Sequence, residues 1–408
     1  MANRRLLLAL FLWGTCSAAW AQLPAGAEFQ VNAYTPFGQL SPAVASDANG
    51  NFVVVWNGPR GSSLYEIFGQ RFNAYGVPQG SEFWVNSSAT GWQESPAVVA
   101  DALGNFVVVW QSYMQYGYGV FGRRFDSSGL PQGGEFRVSS DTGYYQLHPA
   151  VSAGANGDFV VVWTSTNPGG TNVLGHRFDA AGVPQGSEFR VNTDTPAGHS
   201  GPAVASAALG NFVVVWNSYP GPDGSGSAIV GQRFDSSGVR QGSEFLVNTY
   251  TAGNQFGPAV ASDPTGNFVV VWVSSGQDGS DLGVFGQRFS ASGLAEGTEF
   301  KVNSYTPAAQ TYPAVAFTAN GNFVVVWDSL FQDGSSYGVF GQRFDVSGVP
   351  QGRGFRINSF TTGSQSRPAV AATASGDFVV AWHGQGAADT LGIFGKRYGD
   401  LLFRDGFE

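Results

Sequence analysis

Few residues in this chain are arranged for covalent chemistry. Glu66 and Glu94 are a carboxylate pair that could divide the roles of general acid and base, although two solvated side chains is the plainer reading. Asp223, Asp278 and Asp333 sit in Asp-Gly-Ser segments, which suit weak calcium binding but are also ordinary turn chemistry. Asp47, Asp101 and Asp263 recur at a second position, where Gly154, Ala207, Thr318 and Thr373 stand in the other copies. A calcium loop needs alternating oxygen ligands in every copy, so no metal and no cofactor is expected. The four histidines are scattered without zinc spacing, and there is no Gly-x-Ser-x-Gly nucleophile elbow. No catalytic residue is assigned.

Residues suited to binding are more plentiful. Gln39, Gln93, Gln146, Gln255, Gln310 and Gln365 each stand three residues before a proline, and His199 takes the seventh place. Either they tie down loop backbone or they form a ring of amides for a ligand. Trp92, Tyr116, Tyr144 and Tyr337 lead a larger set of aromatics that do not repeat. Rigid aromatic side chains give contact area at low entropic cost.

Four motifs recur seven times in fixed order and must position these residues. Pro-Ala-Val begins at Pro42, Pro96, Pro149, Pro202, Pro258, Pro313 and Pro368. An Asn/Asp-Phe-Val-Val-Val/Ala-Trp run ends at Trp56, Trp110, Trp163, Trp216, Trp272, Trp327 and Trp382. Gly-x-Arg-Phe/Tyr follows, with Arg71 the first of its arginines, and then Glu-Phe-x-Val-Asn, whose first copy is Glu28 to Asn32. Each reads as a strand bounded by turn residues. The run Phe52 to Trp56 is apolar on both faces, so both faces must be covered. A lone repeat has nothing to cover them with, so the repeats must stack.

The fold predicted is all-β, a seven-bladed β-propeller of four-stranded blades. Pro-Ala-Val is innermost and Glu-Phe-x-Val-Asn outermost. The last repeat stops after its third strand and the chain starts with a fourth, so the N-terminal strand should close the ring and remove exposed edges. The recurring tryptophans are expected in the core. Arg71 should pair with Glu82 across a hairpin, and Gly69 and its equivalents should let blades approach closely. The motifs resemble those of exported bacterial seven-bladed β-propeller repeat proteins over residues 28 to 398, and more distantly integrin-like and lectin-like propellers. That resemblance implies the fold and assigns no activity.

Residues 1–21 read as a signal peptide, with Arg4 and Arg5, an apolar run from Leu6 to Trp13 and Ala19-Trp20-Ala21 as cleavage site. The propeller is assigned to 22–398 and a short tail to 399–408. Cleavage would remove Cys16, the single cysteine, and shift the net charge from −9 to −11 by removing two arginines. An acidic surface argues against nucleic acid, and no apolar stretch is long enough to insert in a membrane. The chain is expected to be secreted, periplasmic or extracellular, and monomeric.

Loop variation places the binding surface. The connections between blades and between second and third strands share one face. There the second-to-third connections are read as 10 to 13 residues and differ in every repeat, whereas the opposite face carries short Gly-rich turns. Variable loops on a rigid scaffold are where binding is usual. The expected function is a non-enzymatic binding module for an extracellular glycan or a surface protein. The alternatives are a structural, self-assembling surface protein and a glycan-active hydrolase or lyase.

Overall fold

The computed structural model describes residues 24–399 except 62–63, 88–89, 115–116, 142, 194–197, 319–320, 374 and 388. The expected signal peptide, and the tail beyond its first residue, lie outside the described residues, as does Tyr116.

Seven four-stranded antiparallel sheets form a ring, the predicted seven-bladed β-propeller. The Pro-Ala-Val strands are innermost, Leu40–Ser46 in blade 1 through Gln365–Ala372 in blade 7. They contact one another around the whole circle, including blade 1 against blade 7. Blade 7 is built from Gln365–Ala372, Phe378–Gly384 and Gly392–Tyr398, and its outer strand is Phe29–Gln30 from the other end of the chain. Phe29 pairs with Gly395 and Gln30 with Phe394. The ring is therefore closed by the N-terminal strand.

The Phe-Val-Val-Val-Trp strand shows why blades must stack. Phe52, Val54 and Trp56 pack with Val379 and Ala381 of blade 7, while Val53 and Val55 pack with Phe106, Val108 and Trp110 of blade 2. Alternate side chains of one strand thus serve two interfaces. Burial of each such side chain contributes roughly 1.5–3 kcal/mol of transfer free energy. The seven recurring tryptophans of these strands are at most 2% exposed.

The glycine of the third strand acts first within its own blade, which differs from the expectation of direct blade-to-blade approach. A Cβ on Gly69 would lie 2.6 Å from Cζ of Phe83, the outer-strand ring laid over it. That ring then leans into the stacked Phe106–Phe125 pair of blade 2, at centroid distances of 6.3 and 5.5 Å. The arginines and acids also part company. Arg71 reaches across to the carbonyl of Ser128 in the next blade, and Arg177 to that of Ser236 at 2.6 Å. Glu82 instead accepts the backbone N–H of Ala33 at 2.8 Å, in the link entering blade 1. The expected Arg71–Glu82 pair is absent because each partner staples a neighbouring blade.

The connections between second and third strands are also shorter than the motif spacing implies. In blades 1 and 3 the pairing continues beyond the tryptophan to Arg60↔Leu64 and Asn167↔Gly170. In blades 4 to 7 the strands end earlier, and the connections are 220–227, 276–281, 331–336 and 385–391.

Candidate functional site: the channel mouth

Every inner strand carries a β-bulge at its start, where the register shifts between Leu40 and Ala43 in blade 1 and at matching positions in the other six blades. The bulge places the residue before each proline in the left-handed region. These residues are Ser41, Ser95, His148, Gly201, Gly257, Tyr312 and Arg367, with φ between 48° and 62°. An L-residue in this conformation costs about 1–2 kcal/mol. Glycine adopts it freely, yet only two of the seven positions hold glycine.

All seven line one cavity of roughly 650 Å³ at the channel mouth, together with Asn217, Phe256, Val273, Thr311 and the seven prolines. Four of the bulge N–H groups are held by the side chain that follows the tryptophan of the preceding blade. His148 N–H donates to Gln111 Oε1 at 2.9 Å, Gly201 to Thr164 Oγ1 at 3.1 Å, Gly257 to Asn217 Oδ1 at 3.1 Å and Arg367 to Asp328 Oδ2 at 3.2 Å. The bulge backbone is thereby fixed and its side chain is left to face the mouth.

Arg367 dominates the charge of the mouth. Its guanidinium lies 5.0 Å from the Tyr312 ring centroid. It donates to Ser41 Oγ at 3.2 Å and Tyr312 Oη at 3.5 Å. Below it Asp328 is fully buried, with Thr311 Oγ1 donating at 2.5 Å and Ser366 donating to its other oxygen. Burial raises the Asp328 pKa, and these donors and the Arg367 charge only partly oppose it. His148 faces the water in the mouth but is walled in closely enough that burial, and then the charge of Arg367, lower its pKa. His383, more deeply enclosed, is lowered to about 4 by the same two causes.

The seven recurring amide positions lie deeper. The glutamines and His199 are 0–2% exposed. The indole N–H of Trp56 donates to Gln39 at 3.0 Å, and those of Trp110, Trp163 and Trp382 donate to Gln93, Gln146 and Gln365 at 2.8–3.0 Å. Trp216 donates to Nδ1 of His199 at 3.2 Å. In blades 5 and 6, Gln255 and Gln310 accept from Asn248 and Asn303 instead. Several amide N–H groups also hold loop carbonyls, such as Gln93 to Thr90 at 3.0 Å. These side chains lock the core to the links between blades and do not face the cavity.

Asp223, Asp278 and Asp333 have a similar structural duty. Each caps its own turn, and its second oxygen accepts from the amide of Asn248, Asn303 or Asn358 at 3.0–3.2 Å. Asp389 does the same for Asn32 in blade 7, and Glu66, 3% exposed, does so for Asn86 in blade 1. Glu94 faces Gln111 and Tyr118, each donating at 3.4 Å. The two glutamates are thus engaged separately. Among the described residues no cluster of three His, Cys, Asp or Glu side chains could hold a metal.

The expected aromatics lie on the face of the mouth but outside the ring. Trp92 and Tyr144 are 49% and 41% exposed. Tyr113, Tyr118 and Tyr145 gather beside them, with ring centroids 5.2 and 6.2 Å apart. Tyr337 is half-buried, its hydroxyl pushed up by burial and then by the charge of Asp328. The opposite face carries smaller clefts of roughly 270 and 170 Å³, lined by repeated residues such as Asp47, Asn51 and Arg71 or their equivalents.

Sequence reasoning missed the bulge ring. Its signal was present: between a recurring Gln or His and a recurring Pro stands a position that reads Ser, Ser, His, Gly, Gly, Tyr, Arg.

No family model and no curated protein matches the chain. Among solved structures it is similar to a protein of unknown function from Dyadobacter fermentans, with TM-score 0.53, 10% identity, and coverage of 93% of this chain and 98% of that one. It is similar to the polysaccharide lyase Uly1, with TM-score 0.55, 12% identity and 91% coverage of both chains. An ulvan lyase gives TM-score 0.56 and 12% identity over 91% of this chain and 95% of that one. At these identities the likeness establishes the seven-bladed propeller fold.

Proposed function

We propose that the protein is an exported, monomeric, non-enzymatic binding module that takes an extracellular glycan at the channel mouth. One observation carries this reading. Five side chains, Ser41, Ser95, His148, Tyr312 and Arg367, are kept on left-handed backbone around one cavity where glycine would be less strained. Strain of this kind persists where the side chain has a use. The exposed aromatics Trp92, Tyr144 and Tyr145 on the same face are suited to stacking on sugar rings. No carboxylate lines the mouth among the described residues, so hydrolysis by a carboxylate pair finds no support there and binding is preferred.

The test is a glycan array with the purified mature chain, followed by calorimetry on the best hit. Ser95→Trp should plug the mouth and weaken binding more than tenfold while leaving the melting temperature unchanged. Trp92→Ala and Tyr144→Ala should weaken it by about 1–3 kcal/mol each if they anchor the same ligand. Absence of any glycan ligand, or binding indifferent to Ser95→Trp, would refute the reading.

A further inference from the structure

The mouth has a charge opposite to that of the molecule. The chain carries −9 overall, yet the residues lining the cavity include one arginine, one histidine and no acid. Neither of the ion pairs Arg240–Glu244 and Arg288–Glu296 involves Arg367, and among the described residues its guanidinium has no carboxylate within ion-pair distance. Its neighbours Ser41 and Tyr312 are neutral, and both are placed to orient it. A guanidinium has five donors in a planar fork, and these two contacts leave the others for a ligand. Asp328, the acid nearest to it, is fully buried and already accepts from Thr311, Ser366 and the Arg367 backbone.

From this geometry we infer that the ligand of the channel mouth is anionic, an acidic saccharide whose carboxylate or sulfate group is gripped by Arg367 between Tyr312 and Ser41. Arginine matches the planar oxygen pair of a carboxylate or the face of a sulfate with two parallel hydrogen bonds. The hydroxyls of Ser41 and Ser95 and the His148 ring stand around the same opening to meet sugar hydroxyls. An acidic molecule repels an acidic polymer at long range, and a single positive mouth then selects the point at which the polymer can dock. Because that attraction is screened by salt, affinity should fall as ionic strength rises.

This inference rests on the glycan reading, and the experiment separates the two. Calorimetry compares oligogalacturonate, its carboxyl-reduced neutral product and a sulfated oligosaccharide of equal length, on the native protein and on Arg367→Gln, Arg367→Lys and Ser95→Trp. We expect at least one acidic oligosaccharide to bind tenfold or more tightly than the neutral product. Arg367→Gln should remove that preference, and Arg367→Lys should restore part of it. The exposed position of Arg367 leaves folding intact, which the melting temperature of each variant checks. The stronger of carboxylate and sulfate identifies the anion. Equal binding of acidic and neutral sugars, still abolished by Ser95→Trp, overturns the anionic inference and keeps the glycan reading. Binding by none of the three overturns the anionic inference, and the array then decides the wider reading by itself.

Discussion

Closure of the ring depends on an amide that can be removed. Asn32 follows the N-terminal strand and is 4% exposed. Its Oδ1 accepts the N–H of Ile393 at 2.7 Å, and its Nδ2 donates to Asp389 at 3.0 Å and to the carbonyl of Tyr34 at 2.9 Å. Asn32→Ala leaves the buried Ile393 N–H and the Tyr34 carbonyl without these partners, while Asp389 keeps Gln30 as a donor at 2.9 Å. Each orphaned group costs about 1–3 kcal/mol, so the loss should be about 2–6 kcal/mol. A domain of this length melts with an entropy of about 0.8 kcal/mol/K, and the melting temperature should fall by only about 3–8 °C. Urea unfolding followed by tryptophan fluorescence resolves such a change better than heat. Asn303→Ala is the control, because Asn303 makes the equivalent bonds within an unbroken stretch of chain. If closure belongs to one cooperative unit, the two variants lose similar stability in a single transition. An Asn32→Ala protein as stable as the native one, beside a weakened Asn303→Ala protein, would refute the reasoning and leave the N-terminal strand as an appendage.

Other expectations concern pH, cations and backbone strain. His383 has a folded pKa of about 4, below its unfolded value of 6.5, so the unfolded chain binds the proton first as pH falls. Its contribution is complete above pH 6.5 and declines between 6.5 and 4, by on the order of 3 kcal/mol. His383→Gln should flatten the stability profile in that window, and an unchanged profile would show that this ring does not titrate as described. Chelator and reductant should shift the melting temperature by less than a degree; a drop of several degrees with EDTA would mean that Asp223, Asp278 and Asp333 hold a cation. Ser95→Gly should relieve left-handed backbone, a gain of about 1–2 kcal/mol offset by the flexibility of glycine in the unfolded chain. Its stability should therefore match or exceed that of the native protein, and a marked loss in urea unfolding would show that Ser95 supports the blade.

Much of the blade was legible because blade packing repeats itself. Phe52 to Trp56 declared two buried faces, and the missing fourth strand of the last repeat declared the closure at Phe29. Direct inference failed where a side chain serves a blade other than its own. Nothing in the spacing of Arg71 and Glu82 reveals that one reaches forward to Ser128 and the other back to Ala33. Loop length was misjudged for a related reason. In blade 1 the residues after Trp56 keep the strand pairing through Arg60 although the recurring motif has ended, so variable sequence was read as loop.

The recurring glutamines show why near-invariance within a repeat is weak grounds for a ligand site. A ring of identical amides is what seven identical core problems would produce, and the buried indole N–H of a tryptophan is such a problem in each blade. A ligand without sevenfold symmetry is met by residues that break the repeat. Those residues stand one step from the proline, where the bulge turns the chain out of the regular alternation, and five of them keep side chains on strained backbone. The lock beneath them, a tryptophan held to a glutamine or histidine in five of the seven blades, means that the bulge side chain can change without disturbing the core. Scaffold and site are thus separated by two residues in sequence, and this arrangement lets an otherwise uniform ring present Ser, His, Tyr and Arg at a single opening.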